Sequence, residues 1–348
     1  MISKTLPGVK PRNKILIIRF SSIGDIVLAS PVFRCVKKQL PNAEVHFLTK
    51  LSYKIVTSAN PYIDKFFYYD DNYEVIIQQL RAEDYDHVID LHNNIRSNKI
   101  KHILKKNTHT IDKLTFKKFL LTQLNINVMP GRHITQRSLD AVLPLSVKDD
   151  GGGLDYFIGK EDVIQEKDIP TSHLAGYIAI VIGATYFTKK FPIHKLKDLC
   201  NRINHPIILL GGKEDAFAGE MISQQDKVKI YNACGKFNIS ESADIIKRAK
   251  LVISNDTGML YIACAFQRHV IALWGSTSPD LDVEPYYGIN YMSRQPKPFF
   301  DNIVMGLGCQ PCSKYGLNKC PLEHFKCMEG ISVDAIVQKI NAGLSMKA

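Results

Sequence analysis

Residues Ile15-Leu16-Ile17-Ile18 form an unbroken apolar run, after which the chain turns polar at Arg19-Phe20-Ser21-Ser22-Ile23-Gly24-Asp25. Such a run reads as a buried parallel strand. Apolar residues at helical spacing follow from Ile26 to Leu40. The alternation continues through the first half, with strands expected at Lys14–Arg19, Glu44–Leu48, Lys65–Tyr69, His87–Leu91 and Thr108–Ile111 and helical patterns between them, as at Tyr73–Leu80. From Leu114 to Leu143 the pattern is helical, broken at Met129-Pro130-Gly131. Asp149-Asp150-Gly151-Gly152-Gly153 and the polar stretch Lys160–Pro170 then read as a junction. A second series follows, with strands at Tyr177–Ile182, Ile207–Leu210, Val228–Tyr231, Leu251–Ser254 and Val270–Trp274, and a last helical pattern at Val333–Leu344. Strands alternating with helices predict parallel α/β sheets. Two such series predict two Rossmann-like halves, although no sequence repeat relates them.

Composition narrows the class. A chain of 348 residues is comfortable for two domains, and 45% hydrophobic with 23% charged residues is ordinary for a globular protein. No apolar run approaches the length of a transmembrane helix. Met1–Arg12 lacks the apolar core of a secretory signal, so a cytoplasmic location is expected. The net charge of +11 suits nucleic acid, an anionic membrane face or a phosphorylated substrate. Much of the excess clusters at Lys99, Lys101, Lys105, Lys106, Lys113, Lys117 and Lys118. Few aromatics interleave with these lysines and no nucleic-acid motif accompanies them, which favours an anionic lipid surface over nucleic acid.

Ligands of open α/β sheets bind at the carboxyl ends of strands. Asp25 lies at such an end, behind a glycine that lets the backbone approach a ligand, although an aspartate there also suits a helix cap. In the second half, Ser254-Asn255-Asp256-Thr257-Gly258 follows a strand and opens a helix, so its backbone N–H groups can meet phosphate oxygens. Thr257 adds a hydroxyl and Gly258 permits close approach. Asp256 would repel a phosphate and is expected to face sugar hydroxyls or hold the loop. Leu210-Gly211-Gly212-Lys213-Glu214-Asp215 ends another strand; an acidic residue there suits ribose hydroxyls, with Glu214 and Asp215 both open.

The string Arg19 to Pro31 resembles the N-terminal signature of glycosyltransferase family 9, the bacterial ADP-heptose:lipopolysaccharide heptosyltransferases. Gly183-Ala184-Thr185 with Lys189-Lys190-Phe191-Pro192, and Asn255 to Tyr261 followed by Gly275 to Pro279, resemble later motifs of the family in the same order. The resemblance implies a GT-B architecture, two Rossmann-like domains facing across a cleft. The acceptor-side domain would span 1–165, the nucleotide-sugar domain 166–330, and a C-terminal helix, 331–348, would pack back on the first domain. It implies inverting transfer of heptose from ADP-heptose to a lipopolysaccharide inner-core acceptor, without a catalytic cofactor, at the inner face of the membrane. Asp25 falls at the family's catalytic base, and Ser21 and Ser22 could orient it. Lys189, with Thr185, falls where the donor phosphates are held. Tyr261 stands where many members carry histidine, which leaves open a different donor contact, a different sugar or weak catalysis. Asp90 to Ser97 is similar to the acceptor-side loop. There Arg96 and Lys99, and further on Arg132, His133 and Arg137, suit an anionic saccharide, with Arg96 and Arg137 the preferred pair.

Eight cysteines remain to be placed. Cys35, Cys200, Cys234 and Cys264 read as small buried apolar residues. Cys309-x-x-Cys312, Cys320 and Cys327, with His324 among them, suit a structural zinc site, with reduced thiols or one or two disulfides as the alternatives. Some members of the family carry a similar segment. Rival functions are transfer of another sugar from a UDP or GDP donor in surface polysaccharide assembly, and non-catalytic nucleotide-sugar binding. A nicotinamide-dependent dehydrogenase is disfavoured because no G-x-G-x-x-G turn follows the first strand.

Overall fold

The computed structural model describes residues 13–294 and 300–345; Met1–Arg12, read above as lacking a secretory signal, lies outside them. The first sheet comprises β1 (Asn13–Ile18), β2 (Ala43–Lys50), β3 (Lys65–Tyr69), β4 (His87–Asp90) and β5 (Asn107–Thr110), ordered β3-β2-β1-β4-β5 and parallel wherever paired. Ile15–Ile18 are fully buried, as a central parallel strand requires. The chain winds outward from β1 to β2 and β3, then returns to place β4 on β1's other side. The loops after β1 and β4 therefore diverge at a switch point, where an open sheet presents a crevice.

The second sheet comprises β6 (Ile178–Val181), β7 (Ile207–Leu210), β8 (Ile230–Asn232), β9 (Leu251–Asn255), β10 (Val270–Leu273) and β11 (Phe300–Ile303), ordered β11-β10-β9-β6-β7-β8 and again parallel. Its switch point lies between β6 and β9, so the loops carrying Thr185 and Lys189 and Asp256 to Gly258 leave neighbouring strands. β11 is an edge strand that the sequence pattern did not indicate.

Two long helical patterns are each divided. The first becomes Ile23–Leu28 and Ser30–Gln39, with Pro31 in the first turn of the second helix. The other becomes Thr115–Leu124 and Ile134–Asp140.

The chain falls into two compact units. One takes the chain up to Lys113 and Thr135–Asp150; the other takes Leu114–Ile134 and the chain from Gly151 on. The division thus differs from the expected one at residue 165. Arg34 clamps Asp150 through Nε and Nη2, both at 2.8 Å, within the first unit. One residue later the chain belongs to the second unit. Gly153 adopts φ +76°, and a Cβ there would lie 2.4 Å from the Tyr287 carbonyl oxygen. The glycine-rich junction is therefore a packed turn rather than a loose linker. The segment 114–134 joins the second unit through its end. Ile134 N–H donates to Asp282 O at 2.9 Å, and the His133 ring stacks on Tyr286 with centroids 4.5 Å apart. The helix Val333–Ser345, which the resemblance would lay across the first domain, sends Val333, Ile336 and Ile340 into the second unit's core beside Leu251, Ile253 and Ile271. That spacing is one helical face.

Candidate active site

Within the first unit, Arg19 is buried at the end of β1. Its Nη2 lies 2.6 Å from Asp25 Oδ1, its Nε donates to Ser21 O at 2.9 Å, and its Nη1 donates to Leu91 O in the loop after β4. Ser22 donates its N–H and its hydroxyl to Asp25 Oδ2, at 3.1 and 3.0 Å. Asp25 thus caps the helix Ile23–Leu28 while 35% of its side chain stays exposed. Burial alone would raise its carboxyl, but the Arg19 guanidinium and the Ser22 hydrogen bonds hold it below the ordinary value. It stands ionised and oriented. Ser22 thus bonds the carboxylate directly, whereas Ser21 offers its carbonyl to Arg19.

The β4 loop is built around Asp90, whose Oδ1 accepts N–H bonds from His92 at 2.9 Å and Asn93 at 2.7 Å. Lys101 pairs with the same carboxylate at 2.8 Å. The His92 ring meets Phe20 edge-on. Burial, with the charges of Arg19 and Lys113, brings its pKa down to about 4, so it is neutral near pH 7. Arg96 lies over the Tyr69 ring, 4.9 Å from the centroid, and lines a cavity of about 530 Å³ with Tyr73, Asn94, Ile95 and Lys99. The Tyr73 hydroxyl is buried there without a hydrogen-bond partner among the described residues. Arg137, the expected companion of Arg96, is buried and donates to Asp112 O at 2.8 Å. It props the loop after β5 and is not among the residues lining the cavity. The lysine cluster is likewise partly structural, since Lys106 pairs with Asp84 and Lys113 donates to His92 O.

In the second unit Asp256 is a hub. Lys189 Nζ reaches its Oδ2 at 2.7 Å and Thr277 donates its hydroxyl to the same oxygen at 2.8 Å. Asp256 therefore holds the loop, one of its two expected roles. Tyr261 is buried, its hydroxyl 2.8 Å from Val283 O and 3.3 Å from Asp256 Oδ1. A phenol has one proton to give, and the shorter contact places it on Val283. Tyr261 thus braces the loop from inside. Thr257 is the N-cap of the helix Gly258–Ala265, but its hydroxyl makes no capping bond. Thr185 is exposed in the β6 loop.

The two acidic candidates after β7 separate cleanly. Asp215 is buried, paired with Lys190 at 2.6 Å, and accepts the Gly212 N–H at 3.0 Å. A Cβ on Gly183 would lie 2.4 Å from its Oδ2, so this glycine is what lets the β6 and β7 loops approach. Glu214 is exposed and keeps the ligand-facing reading. Successive lysines, 189 and 190, serve separate carboxylates.

Two groups have metal-ligating chemistry. Glu44, His46 and Glu83 converge in the first unit, but Lys14 and Lys65 already neutralise the carboxylates. Cys309, Cys312, Cys320 and Cys327 line one small cavity of the second unit with His324.

Comparison with known proteins decides the family. The model of glycosyltransferase family 9 (heptosyltransferase) matches residues 74–292, well over half of the chain. The chain belongs to glycosyltransferase family 9. It is similar to lipopolysaccharide heptosyltransferase 1 of Campylobacter coli, 28% identical over 76% of this chain and 84% of the relative. Its fold matches that of E. coli ADP-heptose lps heptosyltransferase II, with a TM-score of 0.70 and 16% identity over 96% of this chain and 99% of the other. A family 9 glycosyltransferase from Veillonella parvula DSM 2008 gives a TM-score of 0.75 at 18% identity, covering 97% and 99%. This family 9 glycosyltransferase accordingly has an α/β fold of the GT-B class.

Three residues carry roles that motif reading left unassigned. Arg19 could have been noticed as a charged residue ending a fully apolar strand. Thr277 lies in the quoted Gly275–Pro279 string, but its bond to Asp256 spans distant sequence. His92 carries no sequence signal of its environment, since burial and two cations set its charge.

Proposed function

We propose that this enzyme transfers a heptose from ADP-heptose to the inner-core region of a lipopolysaccharide precursor, with inversion at the anomeric carbon. The observation that carries this reading is the Asp25 carboxylate, ionised, oriented from one side by Arg19 and Ser22, and partly open at the carboxyl end of β1. The acceptor hydroxyl attacks the anomeric carbon, the bond from that carbon to the diphosphate breaks, and the hydroxyl proton passes to Asp25. A depressed pKa suffices because the proton becomes acidic only as the new C–O bond forms.

The departing diphosphate gathers charge, and the second unit offers cationic and N–H groups to meet it. Lys189 has hydrogens to spare beyond the one on Asp256. Gly258 opens a helix whose first N–H groups suit an anion, Thr257 precedes it with a hydroxyl, and Thr185 offers another in the loop that carries Lys189. Glu214 takes the ribose hydroxyls, and Asp215 and Tyr261 support the loops. On the acceptor side, Arg96 and Lys99 receive an acidic group of the saccharide in the cavity they line. The donor reading draws support from the E. coli fold relative, named for ADP-heptose, and the acceptor reading from the Campylobacter relative.

Among the described residues no helix is long and apolar enough to cross a membrane. The lipid-linked acceptor is met at an anionic membrane surface. The helix Thr115–Leu124 suits that contact, with Phe116 and Phe119 exposed at 71% and 53% beside Lys117 and Lys118. A donor screen reading nucleotide release tests the whole proposal. ADP-heptose should be turned over, and Asp25→Asn should abolish release without abolishing ADP binding. Turnover of UDP- or GDP-sugars in its place would reject the donor.

A further inference from the structure

The cavity of about 530 Å³ in the first unit has a size ordinary for a ligand site, and no carboxylate lines it. The helix Ile95–Leu104 begins at its wall, since the N-cap Asn94, Ile95 and Arg96 are all lining residues. Asn94 Oδ1 accepts the Ser97 N–H at 2.9 Å, and Asn94 O accepts the Asn98 N–H at 2.9 Å. The Ile95 and Arg96 N–H groups keep no acceptor among the described residues. Such a helix end favours anions.

Side chains add to it. Arg96 and Lys99 bring two positive charges, and neither has an ion-pair or hydrogen-bond partner among the described residues. The Arg96 guanidinium lies over the rings of Tyr69 and Phe20, 4.9 and 5.6 Å from their centroids. Its face is thus occupied, and its donating edge is left for a ligand. Tyr69 is an independent sign. Only 8% of it is exposed, yet its hydroxyl makes no hydrogen bond among the described residues. A buried phenol normally has a partner. Asp70, Asp71 and Glu74, close by in sequence, are exposed and are not among the lining residues.

We infer that this cavity takes a phosphomonoester of the acceptor saccharide, held by the Arg96 edge, the Lys99 ammonium and the two N–H groups, with Tyr69 as a specificity-determining donor. A single carboxylate would leave part of this charge unmet. A phosphomonoester brings about 1.5 to 2 negative charges near pH 7 and three acceptor oxygens, enough for donors that come from several elements. Phe20 follows Arg19, which holds Asp25, so the ring beneath Arg96 ties the site to the end of β1 that carries the base. That the phosphate belongs to the acceptor rests on the reading proposed above; that the cavity binds one does not.

Calorimetry on the full-length protein with glucose 6-phosphate, glucuronate and inorganic phosphate tests the site. At pH 7.5 glucose 6-phosphate should bind at least about tenfold more tightly than glucuronate, the scale of one charge-assisted hydrogen bond. At pH 5, where the phosphate carries nearer one charge, the ratio should shrink to about threefold or less. Taking the ratio cancels any titration of the protein itself. Inorganic phosphate should displace glucose 6-phosphate. Equal affinity for the two sugars at pH 7.5, or no binding of either phosphate probe at about 10 mM, overturns the phosphate assignment. Tyr69→Phe keeps the ring beneath Arg96 and should weaken glucose 6-phosphate about tenfold; unchanged affinity overturns the role of Tyr69. Binding that survives both Tyr69→Phe and Arg96→Gln unaltered lies elsewhere and overturns the site. In the transfer assay glucose 6-phosphate should raise the apparent KM for the acceptor without lowering kcat. Binding that depends on Arg96 but does not compete with the acceptor overturns the acceptor reading instead and leaves the phosphate site standing.

Discussion

Asp25 and Arg19 form one device. Asp25→Asn keeps a similar shape but only one of the two accepting oxygens, and it cannot take a proton, so kcat should fall by ~10²–10⁴-fold while ADP affinity, measured by calorimetry, holds. Arg19→Gln removes the charge that opposes desolvation of the carboxylate. The acid limb of the kcat–pH profile, which should lie below the usual aspartate range in the native enzyme, should then move upward. An unmoved limb would mean that Arg19 only braces the backbone. Lys189 and Asp256 call for a double-mutant cycle. Lys189→Ala should cost ADP affinity about tenfold or more, and Asp256→Asn should recover part of the protein stability lost with the lysine, because it removes the carboxylate left unpaired. Glu83 supplies a pH signature in the first unit. Burial would raise its carboxyl, but the hydrogen bonds from Lys14 and Lys65 reverse this and bring it down to about 2. Its contribution, about 3 kcal/mol at most, is complete above pH 4.5 and is lost as pH falls toward 2. Glu83→Gln should flatten denaturant midpoints across that window.

Among the elements, the glycine turn and the helix Thr115–Leu124 make opposite predictions. Gly153→Ala combines an unfavourable φ with a steric overlap on Tyr287 O and should cost more than about 2 kcal/mol in denaturant unfolding. Replacing Phe116 and Phe119 by serine should leave folding intact, since both are exposed, yet reduce retention on vesicles of anionic lipid by about tenfold. Equal retention of both forms, or equal retention on neutral vesicles, would reject the helix as the contact. These two elements also show how far sequence reading reaches. The central strands of both series could be placed because a central parallel strand buries both faces and must be apolar throughout. β11 could not, because Phe300-Asp301-Asn302-Ile303 is a half-buried edge strand with polar positions. The glycines at 151–153 looked loose because composition cannot tell a flexible glycine from one required by a neighbouring carbonyl. Asp25, Lys189 and Asp256 were legible as motif positions, whereas the burial of Arg137 and the division of labour between Glu214 and Asp215 depend on which side chain turns inward.

For the molecule as a whole, the identity of the nucleotide is the first quantity to measure. A ligand that binds only the native state at a concentration of 100 times its Kd adds roughly 2.7 kcal/mol of stability. ADP should therefore raise the unfolding midpoint, and UDP and GDP at the same concentration should raise it less. Equal shifts for the three would leave adenine unrecognised and the donor assignment without support. The route of the backbone bears on how such experiments are designed. Residues 114–134 belong with the C-terminal unit although 135–150 return to the N-terminal one. A scissor cut at the glycine turn would therefore not release two self-sufficient halves. The amino-terminal fragment would carry a strip of chain stripped of Asp282 and Tyr286, and the carboxyl-terminal fragment would lack the strip that covers them. Any attempt to assay donor binding on an isolated half has to move that strip as well, by permuting the termini rather than by truncation.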